Sequence, residues 1–514
     1  MVPIFINALV FLVLFYYGIP GGVLEHSWVA LGLCLSGALV WCFIPRYLRK
    51  ILFVAIALPF CIGNLIIYGS KYLLAEALNY DFAISLLISN KSEALGFLEN
   101  FSFIKLAGLF IWSFVPMMGV VVIQKTPNWS WKKYWWVLFP VFGSFIFCWT
   151  AYWFYNVEYS SFYRAYRDIV KQETAYKNYK PKKIEGIKNL DFKSSKKLYV
   201  IVISDSVSRK YMSLYGEKIK TTPVLDMLKS ELYVFNNVST QFNITYKVLS
   251  RILNIRRNRE NINLIDFFKN AGFKVYWFSA HPQYGFTNCF SYLAYNADES
   301  YFRRNELDKT DKIVFPYFNK ALEDDVDNKV IFLHLQGSHN DYSCRIPKNY
   351  ENDNADFNSL LKNGADERYV NYLKSVKYGD EILGQIIQEV KAQKEYSSYV
   401  MYLSDHGEDI ALDGKACFCH GYINRKEVFE IPFILWLSDT YKNNNAAFTA
   451  EFHHYLFRPY SIKNLFYSIV ELSRLRYDKI DEKRSIVSEK YKEVNYKYKN
   501  NIKHKLFEVN KGEK

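Results

Sequence analysis

Two carboxylates and two imidazoles stand where strand-like runs end. Leu198–Ser204 is followed by Asp205-Ser206, Lys329–Leu335 by Gln336-Gly337-Ser338-His339, and Ser398–Ser404 by Asp405-His406-Gly407-Glu408. Oxygen and nitrogen donors without a thiolate suit zinc, with manganese or magnesium as alternatives, and an unfilled ligand position is the mark of a catalytic metal. One Asp-His pair arises by chance; three ligand-bearing strand ends in order carry more weight. His420 lies in the Gly- and Cys-containing loop that follows the Asp-His pair, which sets it apart from His26, His453, His454 and His504. For His281 and His334 a structural role outweighs a ligand role.

These groups need a scaffold that gathers strand ends. Val275–Ser279 and Ile431–Leu437 also read as strands, each rich in β-branched or aromatic residues. Amphipathic segments at Thr222–Leu232, Asn263–Ala271 and Val370–Lys391 alternate with them. Alternation of this kind predicts a largely parallel sheet covered on both faces, with the chemistry beyond the carboxyl ends of its strands.

The first 155 residues read differently. Five apolar stretches, Val2–Pro20, Trp28–Pro45, Ile51–Gly69, Phe103–Ile123 and Tyr134–Phe154, are long enough to cross a bilayer. The first has no basic start and no small-residue cleavage site, so it reads as an uncleaved anchor. Arg46, Arg49 and Lys50, and then Lys125, Lys132 and Lys133, mark two cytoplasmic loops. Everything after the fifth stretch then faces the other side. The loop from Ser70 to Ser102 is helical and amphipathic in pattern, suited to the membrane interface. The expected organisation is a five-span bundle at 1–155, a basic interfacial linker at 156–190, a catalytic domain at 191–485 and a basic tail at 486–514. Lys and Arg number 65 against 51 Asp and Glu, a formal charge of +14. Beside a membrane half, that excess points to anionic lipid or lipopolysaccharide; no motif supports nucleic acid. Composition excludes wholesale disorder, a collagen-like or coiled-coil chain, and a simple soluble enzyme. Cys289, Cys344, Cys417 and Cys419, in a domain placed in an oxidising space, predict two disulfides of undetermined pairing.

The chain resembles the phosphoethanolamine transferases of Gram-negative bacteria. The likeness rests on Val202-Ile203-Ser204-Asp205-Ser206, Met212-Ser213-Leu214-Tyr215-Gly216, Thr221-Thr222-Pro223-Val224-Leu225, Gly337-Ser338-His339, Ser404-Asp405-His406-Gly407-Glu408 and Ile431-Pro432-Phe433-Ile434-Leu435-Trp436. Asn90-Lys91-Ser92-Glu93-Ala94 is similar to the family's Asn-x-x-Glu-Ala. The resemblance implies an α-helical transmembrane bundle followed by an α/β alkaline-phosphatase/sulfatase-like domain, in the bacterial inner membrane with the catalytic domain in the periplasm. It implies zinc on Asp205, Asp405, His406 and the nucleophilic Thr245, with Asp205 standing where the family usually has Glu. His339 and His420 match the two histidines that serve a second metal, the donor headgroup or the leaving group, and Asn90 and Glu93 match the substrate loop.

The family's nucleophile is a Thr that opens a helix. The segment Asn236-Asn237-Val238-Ser239-Thr240-Gln241-Phe242-Asn243-Ile244-Thr245 is closer to the branch that modifies core heptose than to the lipid A branch, which points to Thr245, with Thr240 as the runner-up. A sulfatase's Cys-x-Pro-x-Arg context is absent. The implied reaction moves phosphoethanolamine from phosphatidylethanolamine to lipopolysaccharide through a phospho-threonine. A glycerol-phosphate transferase of the same architecture and a catalytically silent membrane-anchored binding protein are the alternatives.

Overall fold

In the computed structural model the described residues are 80–88, 102–114, 157–177, 179–190, 196–257, 260–282, 296–304, 309–348, 355–410, 425–478, 480–492, 497–499 and 506–508, with scattered single positions elsewhere. Cα proximity divides the chain into two compact units, Met1–Leu87 with Phe97–Asp168, and Ile88–Gly96 with Ile169–Lys514.

The first unit contains helices α1 (Tyr80–Ile88) and α2 (Phe103–Phe114), and the start of α3 (Val157–Lys177). Among the described residues no helix is long and apolar enough to cross a membrane. The expected spans Val2–Pro20 and Tyr134–Phe154 lie outside the described residues, and the other three are described only in part. Several apolar side chains described there are exposed. Phe103, Ile104, Ile111 and Trp112 of α2 point outward, as do Ile51, Val54, Leu58 and Ile62, spaced three and four residues apart.

The second unit is built on seven strands: β1 (Lys196–Ser204), β2 (Leu232–Val234), β3 (Lys274–Pro282), β4 (Glu299–Arg303), β5 (Asn328–His334), β6 (Tyr396–Ser404) and β7 (Phe433–Leu437). They form one sheet in the order β2-β7-β6-β1-β5-β3-β4. Strand β1 lies at its centre, parallel to β6 on one side and β5 on the other. Strands β3 and β4 continue the parallel run, whereas β7 pairs antiparallel with β6. In β1 the residues from Lys197 to Ser204 are all buried, the near-continuous apolar run of a strand covered on both faces.

Period-two alternation sorts those side chains. Tyr199, Ile201 and Ile203 join a core with Phe267 of α6 (Leu264–Asn270) and Phe466 of α9 (Leu465–Leu472). Leu198, Val200 and Val202 join the opposite core, with Phe318 of α7 (Phe315–Glu323) and Leu373, Ile386 and Ile387 of α8 (Glu367–Lys391). The α8 helix starts where Asp366 accepts a hydrogen bond from the Arg368 amide, an N-cap that occupies one otherwise unpaired donor.

In this unit the five expected strands and the helices expected at Asn263–Ala271 and Val370–Lys391 are present with shifted ends. The segment Thr222–Leu232 is not one helix. It is α4 (Pro223–Leu228), a 3-10 turn at Lys229–Glu231, and then the start of β2, because Leu232 and Val234 are buried against the sheet. The strand expected from Ile431 begins at Phe433, past Pro432, which has no N–H for a ladder. Ile486 and Val487, counted with the basic tail from sequence, are buried in the first core. Cys344 carries a free thiol, so the four cysteines do not make two disulfides; its side chain bonds to Asp341 instead. Cys289, Cys417 and Cys419 lie outside the described residues.

Candidate metal centre and nucleophile

The carboxyl ends of β1 and β6 are adjacent because the two strands pair in register, Ser204 opposite Ser404. The next residues, Asp205 and Asp405-His406, therefore emerge side by side. One ligand atom from each of Asp205, Asp405 and His406 lies within 4.8 Å of the others, and all three residues are buried. His406 Nε2 is 3.7 Å from Asp205 Oδ1 and 3.5 Å from Asp405 Oδ2.

Backbone geometry holds this corner closed. Gly407 is needed where the chain leaves β6: a β-carbon there would fall 2.2 Å from the Glu427 carbonyl oxygen. His406 Nδ1 lies 2.9 Å from the Gly407 carbonyl oxygen, which can only accept, so Nδ1 carries the proton and Nε2 presents a lone pair. On the β5 side, Gly337 sits at φ +54, and a β-carbon would come 2.3 Å from Ser204 Oγ and 2.5 Å from the Asp205 carbonyl oxygen. The Ser338 amide donates to that same carbonyl at 2.9 Å. Ser206, at φ 61, is a non-glycine residue in the left-handed region, next to the first carboxylate. Tyr372 of α8 pins it: its hydroxyl donates to the Ser206 carbonyl at 2.9 Å and accepts from the Ser208 amide at 3.0 Å.

Burial dominates the electrostatics. It pushes the Asp405 carboxyl up to about 7, against the opposing pull of the Thr245 hydroxyl and the His406 and Ser206 amides. It pushes Glu408 up to about 8, with the nearby His406 drawing it back. Asp405 Oδ1 accepts from the His406 amide at 2.6 Å, but the buried Oδ2 has no hydrogen-bond partner. A buried, unsatisfied carboxylate oxygen is costly unless a cation meets it. With a second carboxylate and an imidazole lone pair alongside, the donor set fits zinc.

Thr245 is the first residue of α5 (Thr245–Ile252), and extended Ile244 before it offers no capping side chain. Its hydroxyl donates to Asp205 Oδ2 at 3.3 Å and lies 3.2 Å from His406 Nε2. Thr240 is elsewhere, fully buried with its hydroxyl donating to the Phe242 carbonyl. His339 is half-buried in the turn after β5. His420, Asn90 and Glu93 lie outside the described residues.

His281, read from sequence as more structural than ligand-like, stands beside the centre. Its Nε2 lies 3.7 Å from Asp205 Oδ2, and its ring stacks on buried His334 at 4.1 Å. The strand β3 runs on to Pro282, past the expected Ser279, so its end delivers another imidazole to the same edge.

A sulfatase family model matches residues 197–473, more than half of the chain, and that span takes in all of β2 through β7, all but the first residue of β1, and every described residue of the centre. The chain belongs to the sulfatase family. The chain is 29% identical over 315 residues to phosphoethanolamine transferase EptC of Escherichia coli (strain K12), covering 57% of this chain and 54% of that protein. It thus spans about half the length of such curated relatives. The crystal structure of the C-terminal periplasmic domain of EptC from Escherichia coli, in complex with Zn, is similar with a TM-score of 0.54 and 26% identity, covering 63% of this chain and 96% of that one. The integral membrane lipooligosaccharide phosphoethanolamine transferase A of Neisseria meningitidis shares the fold, with a TM-score of 0.60 at 17% identity over 89% of this chain and 90% of that one.

Proposed function

We propose that this protein transfers phosphoethanolamine from phosphatidylethanolamine to lipopolysaccharide, at core heptose or lipid A, through a covalent phospho-threonine on Thr245. The observation that carries the reading is the Thr245 hydroxyl at a helix start, 3.2 Å from His406 Nε2 and 3.3 Å from Asp205 Oδ2. A metal there needs no redox chemistry, so zinc held by Asp205, Asp405 and His406 would supply a Lewis acid that favours the ionised threonine hydroxyl. Family relatives named phosphoethanolamine transferases, one of them solved with Zn, support the donor chemistry.

The residues divide the work. Thr245 Oγ attacks phosphorus; the bond to the glycerol oxygen breaks, and diacylglycerol leaves with a proton. An acceptor oxygen on lipopolysaccharide then attacks the same phosphorus, loses its proton, and Thr245 regains its hydroxyl hydrogen. His339 and His420 are assigned to move those protons and to hold the headgroup, and Asn90 and Glu93 to contact the substrate. The amides of the first turn of α5 face the phosphoryl oxygens with the positive end of the helix dipole.

A site for a diacyl lipid belongs at a membrane. Residues 1–155 are assigned to five spans, 156–190 to the interface, 191–485 to the periplasmic catalytic domain and 486–514 to a basic tail. The outward apolar side chains of α2 support lipid contact. The test is Thr245→Ala in a cell carrying lipopolysaccharide. Phosphoethanolamine on the product should disappear while zinc per chain stays near the wild-type value, and the wild type should show the mass of phosphoethanolamine on Thr245. Transfer by Thr245→Ala at the wild-type rate would overturn the assignment. A glycerol-phosphate adduct would instead name a different donor.

A further inference from the structure

The turn after β5 carries His339 along an uncommon backbone path. Gly337 sits at φ +54 and Asp341 at φ +64, both in the left-handed region, and the second of them carries a side chain. Such a path persists only where its surroundings hold it. Asp311 holds the entry: Oδ1 accepts from the Gln336 amide at 2.7 Å and Oδ2 from the Gly337 amide at 3.0 Å. The Ser338 amide, donating to the Asp205 carbonyl at 2.9 Å, ties the middle to the end of β1. Arg345 holds the rest. It ends the 3-10 turn Tyr342–Arg345 and reaches back along the chain. Its Nε donates to the His339 carbonyl at 3.0 Å and its Nη2 to the Asn340 carbonyl at 2.8 Å.

Arg345 is only 6% exposed, so its guanidinium is committed to the protein and not to water. A planar guanidinium donates through a rigid fork, and two successive carbonyls bound at once fix the orientation of two consecutive peptide units. Burial pushes the Asp311 carboxyl up to about 6 and Arg345 pulls against that, which makes the two clamps electrostatic neighbours. We propose that Arg345 is a positioning residue for His339: its fork sets where the His339 backbone stands, and through it where the imidazole meets the substrate. Arg345 acts through His339. This rests on the reading above, in which His339 moves a proton during transfer.

A double-mutant cycle on the full chain in detergent decides it, with acyl-labelled phosphatidylethanolamine as donor, lipopolysaccharide as acceptor and labelled diacylglycerol as the readout. His339→Ala should lower kcat on the order of 100-fold. Arg345→Met keeps an apolar stem, loses both donors, and should lower kcat about 10–100-fold. The double variant should stay within about twofold of His339→Ala, because a residue that acts through His339 then has nothing left to position. Zinc affinity in Arg345→Met should equal that of the wild type, since Asp205, Asp405 and His406 follow β1 and β6; a general loosening of the corner would lower it and overturn the inference. If Arg345→Met does not fold, Arg345→Lys takes its place, whose ammonium does not reproduce the fork and should still cost about 3–10-fold. Losses that multiply in the double variant, or an unchanged kcat in the Arg345 variant while His339→Ala is impaired, would overturn the inference and leave the proposed function standing. A wild-type rate in His339→Ala would overturn it as well, by leaving His339 no step to serve. No diacylglycerol from the wild type would overturn the proposed function and the inference together.

Discussion

Asp405 and Asp380 are both buried carboxylates pushed up to about 7 by burial, yet their surroundings differ in one respect. Asp380, on α8, spends both oxygens on backbone amides: Oδ2 accepts from Val224 at 2.8 Å and Oδ1 from Leu225 at 2.9 Å, at the start of α4. Asp311 is arranged alike, with Gln336 and Gly337 amides at 2.7 and 3.0 Å, and rises to about 6. Asp405 satisfies Oδ1 and leaves Oδ2 without a hydrogen bond, facing His406 Nε2 at 3.5 Å. Asp380 and Asp311 close their hydrogen-bonding capacity on loop amides, whereas Asp405 keeps one oxygen over. Burial alone, or a raised pKa alone, does not tell the two apart.

The contrast can be broken at several strengths. Asp405→Asn replaces an anionic donor with a weak one, so zinc affinity should fall on the order of 1,000-fold, about 4 kcal/mol, in a chelator competition. An equal fall in Asp380→Asn would erase the distinction. Gly337→Ala puts a β-carbon at φ +54 against Ser204 and Asp205, and should cost about 2–4 kcal/mol by denaturant titration, with zinc affinity falling too. Asp380→Asn leaves one of two α4 amides without an acceptor and should cost about 1–2 kcal/mol at pH 5, with zinc per chain unchanged.

That variant also carries a pH signature. Asp380 has its folded pKa raised from 3.8 to about 7, so its neutral form stabilises the fold fully below about pH 4. The contribution fades as pH rises through about 7. Melting temperature should therefore fall less steeply between pH 5 and 8 in Asp380→Asn than in the wild type. Smallest of all, Lys391→Ala removes an exposed pair with Glu231 and should change stability by less than about 0.5 kcal/mol.

Much of this centre was legible in the sequence because strand ends are short-range features. A β-branched run that stops at Asp205 or Asp405-His406 fixes where the ligand stands along its own strand, and parallel pairing then brings the ends together. Thr245 entered as a candidate through resemblance alone, since no local pattern singles out a threonine at the start of an eight-residue helix. His281 was named from sequence, but its place at the edge depends on a strand that runs past Ser279 to Pro282. The seven-strand order, β2 and β4, and the break after Leu228 depend on contacts between distant segments, which composition and period do not carry.

Tyr372 has one more consequence. Its single hydroxyl ties the Ser206–Ser208 turn to α8, a helix whose side chains fill one of the two cores. The turn that presents Asp205 therefore has no independent route to opening: freeing the Ser208 amide requires displacing a ring that the core itself holds. In hydrogen-exchange terms the Ser208 amide is expected to exchange as slowly as the core amides around Tyr372, and residue-by-residue amide exchange checks it.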